Sequence, residues 1–224
     1  MAGRLPTQAR QRRAVRPFLW VTSFAAETRA GGNLTGLYIL TGMLMGKRLE
    51  VLHELVPSAT KSAYLSDPGN LTLGKLQMQS LQAAADSLFL NLLQVKAHAS
   101  DEFEAAFEAS VGAGAGGMVV GSDSILRASS KELVELADRY RLPAICADDI
   151  AVKAGGLVGY GTDDFANAQM LGNYAGRVLR GEKPAEMPVQ QLTNMRLTIN
   201  LKTAAALGIT VPNSLIGRAD EVIE

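Results

Sequence analysis

The sequence predicts an α/β fold, a parallel sheet doubly wound with helices on both faces. Three observations predict it. From residue 31 onward, short apolar runs alternate with amphipathic stretches of helical period. Each apolar run leaves through small polar residues, as strands of a parallel sheet do. The chain has 224 residues, 47% hydrophobic and 20% charged, which suffices to bury a core.

The elements follow in order. Gly31-Gly32-Asn33 is a turn signal, since Gly and Asn accept positive φ cheaply. Leu37-Tyr38-Ile39-Leu40 reads as a short strand or an extended linker. Met45, Leu49, Leu52 and Val56 then fall on one helical face, and Pro57 ends that helix. Lys47, Arg48, Glu50 and Glu54 are assigned mostly to its other faces, with His53 at the boundary. Ser62-Ala63-Tyr64-Leu65 is a strand entering Ser66-Asp67-Pro68-Gly69-Asn70, a strong turn signature. A helix over 72–85 precedes a buried strand over 89–95. Asp101-x-x-Glu104 has the spacing of a capping box and starts the next helix, with Phe103, Ala106, Phe107 and Ser110 inward. Strands at 116–120, 143–147 and 157–160 leave through Ser122-Asp123-Ser124, Asp148-Asp149 and Gly161-Thr162-Asp163. Helices are predicted over 130–140, 165–179 and 201–207, the last two ending at Gly181 and Gly208. Short strands are expected at 189–192 and 197–199.

Composition narrows the function. Lys plus Arg equals Asp plus Glu at 22 each, so the chain lacks the basic surplus of a general nucleic-acid binder. Cys146 is the only cysteine, which removes intramolecular disulfides and cysteine metal clusters. His53 and His98 are the only histidines, and neither has a metal-ligand partner at helical spacing. No metal and no cofactor are expected. Residues 1–29 are Arg- and Gln-rich, without periodicity, and read as a disordered basic leader. Their basic start and the apolar run from Phe18 have the layout of a secretory signal, which Pro17 and Thr22-Ser23 weaken.

Gly112-x-Gly114-x-Gly116 lies between a helix and a strand, the reverse of a dinucleotide fingerprint, and reads as a flexible connection. Asp148-Asp149 and Asp163-Asp164 are acidic pairs with no nucleophile beside them, and Asp163 is placed to cap the helix that follows. Ser122 and Ser124 have hydroxyls, but a triad needs a base, and His98 is the only conceivable one. No catalytic residue is assigned. In open parallel sheets, ligands sit outside the carboxyl ends of the strands. There the chain places Asp67, Gly69, Asn70, Ser122, Asp123, Ser124, Asp148, Asp149 and Tyr160, a set that can orient a polar solute by hydrogen bonds.

At these residues the chain resembles the substrate-binding proteins of ABC transporters, the subgroup related to tryptophan- and tyrosine-binding components with a type I periplasmic-binding fold. The matching stretches include Gly31-Gly32-Asn33-Leu34-Thr35-Gly36, Gly46-Lys47-Arg48-Leu49-Glu50-Val51-Leu52, Ala154-Gly155-Gly156-Leu157-Val158-Gly159-Tyr160-Gly161 and Leu179-Arg180-Gly181-Glu182-Lys183-Pro184. The resemblance covers about 30–224. It implies two α/β lobes closing on a small solute, with Asn33 and Thr35 added to the cleft residues. It also implies ABC permease and ATPase subunits as partners and a periplasmic location. The solute class the resemblance implies is an amino acid or aromatic compound.

The division expected from the resemblance is 1–29 unmatched leader, 30–61 remnant of the first lobe, 62–161 second lobe, and 162–224 a return to the hinge and first lobe. The first lobe is largely missing before Gly31, which points to an N-terminal truncation that leaves apolar surface exposed on the tail after residue 189. An enzyme on the same sheet, using Asp148, Asp149 or Ser122, is the alternative.

Overall fold

The computed structural model describes residues 34–38 and 41–224. The expectations for residues 1–29 and for Asn33 lie outside the described residues. In chain order the strands are β1 (Leu37–Tyr38), β2 (Lys61–Ser66), β3 (Asn91–Lys96), β4 (Gly117–Val120), β5 (Ala144–Cys146), β6 (Val158–Thr162), β7 (Gln190–Gln191), β8 (Met195–Asn200) and β9 (Glu221–Ile223). The helices are α1 (Leu44–Leu55), α2 (Leu71–Ser87), α3 (Ser100–Gly112), α4 (Ser124–Ala128), α5 (Ser130–Arg139), α6 (Asp149–Lys153), α7 (Asp164–Leu179), α8 (Leu201–Leu207) and α9 (Asn213–Ile216).

Seven strands form one sheet in the order β3-β2-β4-β5-β6-β8-β9. The pairs from β3 to β6 are parallel, β6 and β8 are antiparallel, and β8 and β9 are parallel. Alternation along each strand divides the core in two. Tyr64, Val119 and Ile145 face a cluster with α1, α2, α8 and α9 residues, including Leu49, Leu81, Ala204 and Leu215. Their neighbours Ala63, Leu65, Met118, Val120 and Cys146 face the other side, with Phe103, Phe107, Leu126 and Leu133. The sheet is therefore covered on both faces, the doubly wound arrangement expected.

Helix α1 packs on α2, β4 and β5. Strands β8 and β9 extend the same sheet, because Leu197 and Ile199 point into the core from β8. The tail's Leu192, Leu197, Ile199 and Leu215 are thus buried, although most of its other residues are exposed or half-buried. Helix α7 carries several of the exposed large apolar side chains, Phe165, Leu171, Val178 and Leu179. Only Tyr174 of that helix is buried, its hydroxyl donating to Pro188 O at 2.9 Å. Strands β1 and β7 form a separate two-stranded parallel pair, and Thr35 Oγ1 donates to Met187 O at 3.2 Å beside it. The chain leaves the large sheet at Asp163 and rejoins it after Asn194, where Asp163 N–H donates to Asn194 O at 3.1 Å.

Two local expectations are also corrected. The strand placed at 89–95 begins at Asn91 and is an edge strand, not a buried one. Phe89 sits in the preceding turn at φ 55°, 93% exposed. The capping box does not form. Helix α3 starts at Ser100 behind Ala99, Glu104 is drawn away to Arg139 at 2.7 Å, and Glu102 accepts from His98 N–H at 2.7 Å.

Candidate functional site

Five adjacent parallel strands end at one edge of the sheet, so their exit loops stand side by side about 4.8 Å apart. The crossovers reverse between β2 and β4: the chain moves from β2 outward to β3, then back across to β4. Such a reversal opens a crevice between the two exit loops. The loop after β2 carries Asp67, Gly69 and Asn70, and the loop after β4 carries Ser122 and Asp123. Further along the edge, Asp148 and Asp149 start α6, and Tyr160 lies within β6. Ser124 is the exposed first residue of α4. Thr35 is not on this edge but beside the β1–β7 pair.

The loop after β2 is held by its own side chains. Asp67 Oδ1 lies 2.7 Å from His98 Nδ1 and accepts from Gly69 N–H at 2.7 Å. Asn70 caps α2 by accepting from Leu73 N–H at 3.2 Å. Burial is the largest single influence on Asp67 and favours its neutral form. The hydrogen bonds from His98 and Gly69 outweigh it and hold its carboxyl below the usual range. His98 is raised above the ordinary histidine value by its hydrogen bond to Asp67. The pair persists between those limits. It is lost as pH falls through the lowered Asp67 value, or rises through the raised His98 value. With only two histidines in the chain, proton NMR can follow His98 directly. Its midpoint is expected above about 6.5 and to fall back toward that value in Asp67→Asn.

Beneath this loop lies a polar cluster. Gln77 is 0% exposed, and its Oε1 accepts from Tyr64 Oη at 3.1 Å and Ser122 N–H at 3.1 Å. That fixes the amide orientation and leaves Gln77 Nε2 without a partner. Asp123 is 2% exposed, and neither of its carboxylate oxygens has a partner. Burial pushes the Asp123 carboxyl up, and the nearby Asp67 charge adds to it. The Gln77 side chain, the Asp67 backbone N–H and the Asn70 side chain face this carboxylate and temper the rise.

The residue that organises the rim is Arg48, which is buried and not on the polar face of α1. Its Nε donates to Tyr160 O at 2.7 Å, and its Nη1 to Ser122 Oγ at 2.5 Å. Its Nη2 reaches Ala147 O at 3.5 Å. One guanidinium thus ties together the exits of β4, β5 and β6. Burial lowers its pKa to about 10, which leaves it charged at neutral pH. The sequence carried a signal for it: Arg48 lies three residues after Met45 and four before Leu52, inside the apolar stripe. Gln77, Leu81 and Ala85 carry a similar one at four-residue spacing.

At the β6 end the edge opens into a cavity of about 230 Å³. It is lined by the start of α6 (Asp148, Asp149, Ile150, Lys153), by Gly161 and Thr162, by Asp163–Phe165, and by Arg196 of β8. Asp148 caps α6 through Ile150 N–H and Ala151 N–H, and its Oδ2 pairs with Arg127 Nε at 2.8 Å. Arg127 also pairs with Asp164, and Asp163 caps α7 while pairing with Arg196 at 3.4 Å. Ile150 and Phe165, 74% exposed in the second case, are the apolar walls.

Ser122 Oγ accepts from a guanidinium, so no base is positioned to take its proton. His98 is engaged by Asp67 and not by Ser122. Cys146 is buried, its thiol pushed up to about 12 by burial. Among the described residues, no group of three or more His, Cys, Asp and Glu side chains is placed to hold a metal ion. No described helix is long and apolar enough to cross a membrane.

A sheet wound on both faces, with polar strand exits gathered over a cavity, is the architecture of type I periplasmic-binding folds. Solved structures share it. The ABC domain in complex with L-Trp from Streptococcus pneumoniae superposes with a TM-score of 0.76 at 23% identity, covering 88% of this chain and 65% of that one. A conserved domain protein of Vibrio cholerae gives 0.75 at 23% identity, covering 85% and 63%. The family model described as ABC transporter substrate binding protein matches residues 23–223, and the chain belongs to that family. The tyrosine-binding protein of Clostridioides difficile is 25% identical over 179 residues, which are 80% of this chain and 51% of that protein. The chain thus spans about half the length of this curated relative.

Proposed function

We propose that this chain is the solute-binding component of an ABC importer and holds a small molecule of amino-acid size without altering it. The observation that carries this reading is the convergence of the polar strand exits on one edge, which opens into the 230 Å³ cavity. The large sheet is then one lobe of a clamshell. Residues 34–38, α7 and β7 belong with the other lobe, and the exposed apolar face of α7 is where that lobe packs. Closure of the lobes completes the wall around the solute. The tyrosine-binding relative and the L-Trp complex support an aromatic amino acid as the solute. Ile150 and Phe165 offer apolar contact for its side chain. An ABC permease and its ATPase are the partners this role requires, and the periplasm or cell exterior is its place. A ligand-driven stability shift tests the reading. At a hundred times Kd, a bound solute stabilises by about 2.7 kcal/mol, a rise of about 5–10 °C in Tm for a chain of this size. L-tryptophan or L-tyrosine is expected to give that rise in a panel of amino acids. A flat response across the panel, or turnover of any panel member, would sink it.

A further inference from the structure

We propose that the exposed stripe of α7, the side that faces the other lobe, is covered in the 224-residue chain by the same stripe of a second copy, the two helices running antiparallel. Each copy thereby supplies the other's packing on that side. Such pairing does not depend on which solute is bound. An amphipathic helix ordinarily turns its apolar side to the core. Helix α7 does the reverse. Phe165, Ala168, Gly172, Ala175 and Leu179 fall at alternating spacings of three and four residues, and all are exposed. Leu171 and Val178 flank them and are exposed too. The side turned to the rest of the chain carries Tyr174, which is buried, and Asn167, whose amide atoms are enclosed without a partner. Apolar residues at three-four spacing form the seam along which two helices interdigitate.

Two features select a second copy over an unrelated apolar partner. One is the symmetry of the stripe about its own middle. The large side chains Phe165 and Leu179 stand at its ends, and the small residues Ala168, Gly172 and Ala175 lie between. A twofold axis beside Gly172 sets small residues of the two copies face to face and lets the helices approach closely. A Cβ built on Gly172 meets nothing within 4 Å, so the middle of the stripe is open. The other feature is charge. The helix starts at Asp163-Asp164, and Arg177, Arg180 and Lys183 gather at its far end. Antiparallel pairing brings each acidic start to the other copy's basic end and sets the two helix dipoles against each other. Parallel pairing sets like charge on like. Asp164 keeps 42% of its side chain exposed beside Arg127, and Arg180 is exposed, so both can be reached.

Sedimentation velocity on the 224-residue chain reads the association. Two helices about 24 Å long bury less than a standard interface, so a Kd on the order of 10 μM is expected. The sedimentation coefficient is expected to climb from the monomer's value to the dimer's across that concentration. Leu171→Glu and Leu179→Glu, both at exposed positions, are expected to keep the chain monomeric while leaving its thermal melt unchanged. Arg180→Glu sets an acid against the partner's start of α7 and is expected to weaken association about tenfold. Cys146 is buried, so Gly172→Cys introduces the one accessible thiol. Under mild oxidation it is expected to give a disulfide-linked dimer, whereas Leu179→Cys stays unlinked. A dimer that survives Leu171→Glu, or that links equally at both positions, overturns the proposal. So does a chain that is monomeric at every concentration. If that monomer dimerises only once residues 1–29 are deleted, the apolar run from Phe18 is the stripe's occupant instead.

Discussion

Replacing Arg48 with Met is expected to destabilise the protein by about 3–5 kcal/mol, seen as a lowered urea midpoint with unchanged slope. A buried ion replaced by an apolar group of similar shape is often harmless. Here it is not, because the guanidinium satisfies two backbone carbonyls and a serine hydroxyl at the ends of three strands. Met fills the space and leaves those acceptors dry, at about 1–3 kcal/mol each. Arg48→Lys restores the charge but not the fork, so it recovers only part of the loss. Binding is expected to weaken in both variants, because the rim loses its common anchor. A midpoint within experimental error of the parent would show that the rim holds itself.

Gly161→Ala carries the second large effect. A Cβ at this position would lie 1.8 Å from Ala147 O, and that atom belongs to backbone. Neither chain can yield without breaking the β5–β6 register, in which Cys146 faces Gly159. A loss of about 3–5 kcal/mol is expected, or 6–20 °C in Tm for a chain of this size. Gly74→Ala is the matched control. A Cβ there meets nothing within 4 Å, and the residue lies in the first turns of α2, so a gain of up to about 1 kcal/mol is expected. Scanning calorimetry of the two variants separates steric exclusion from a general intolerance of alanine.

The architecture was legible because its signals are local. Strand runs and helical stripes announce themselves within a dozen residues. Asp163 kept its capping role for the same reason. What escaped depended on distance. Arg48 looked like a polar-face cation until three strand ends, brought together only by the fold, enclosed it. Phe89 looked like the start of a strand, yet pairing of Asn91 with Lys61 fixed the strand start two residues later. Glu104 had capping spacing, but Arg139 on α5 competed for it and won. The rim itself was half legible. The strand exits could be read from the sequence, but not which of their residues would be buried, as Asp123 is, and which would line the cavity, as Asp148 and Asp149 do.

The antiparallel seam between β6 and β8 governs when the sheet can be completed during synthesis. During synthesis β2 to β6 leave the ribosome as a block whose neighbours are already present. The flank of β6 that β8 will cover stays bare while α7 and β7 are translated. A bare flank is a template for any extended chain nearby, and closing it across that excursion costs loop entropy before pairing repays it. The interval between the emergence of Thr162 and of Asn200 is therefore when the nascent chain is most open to mispairing.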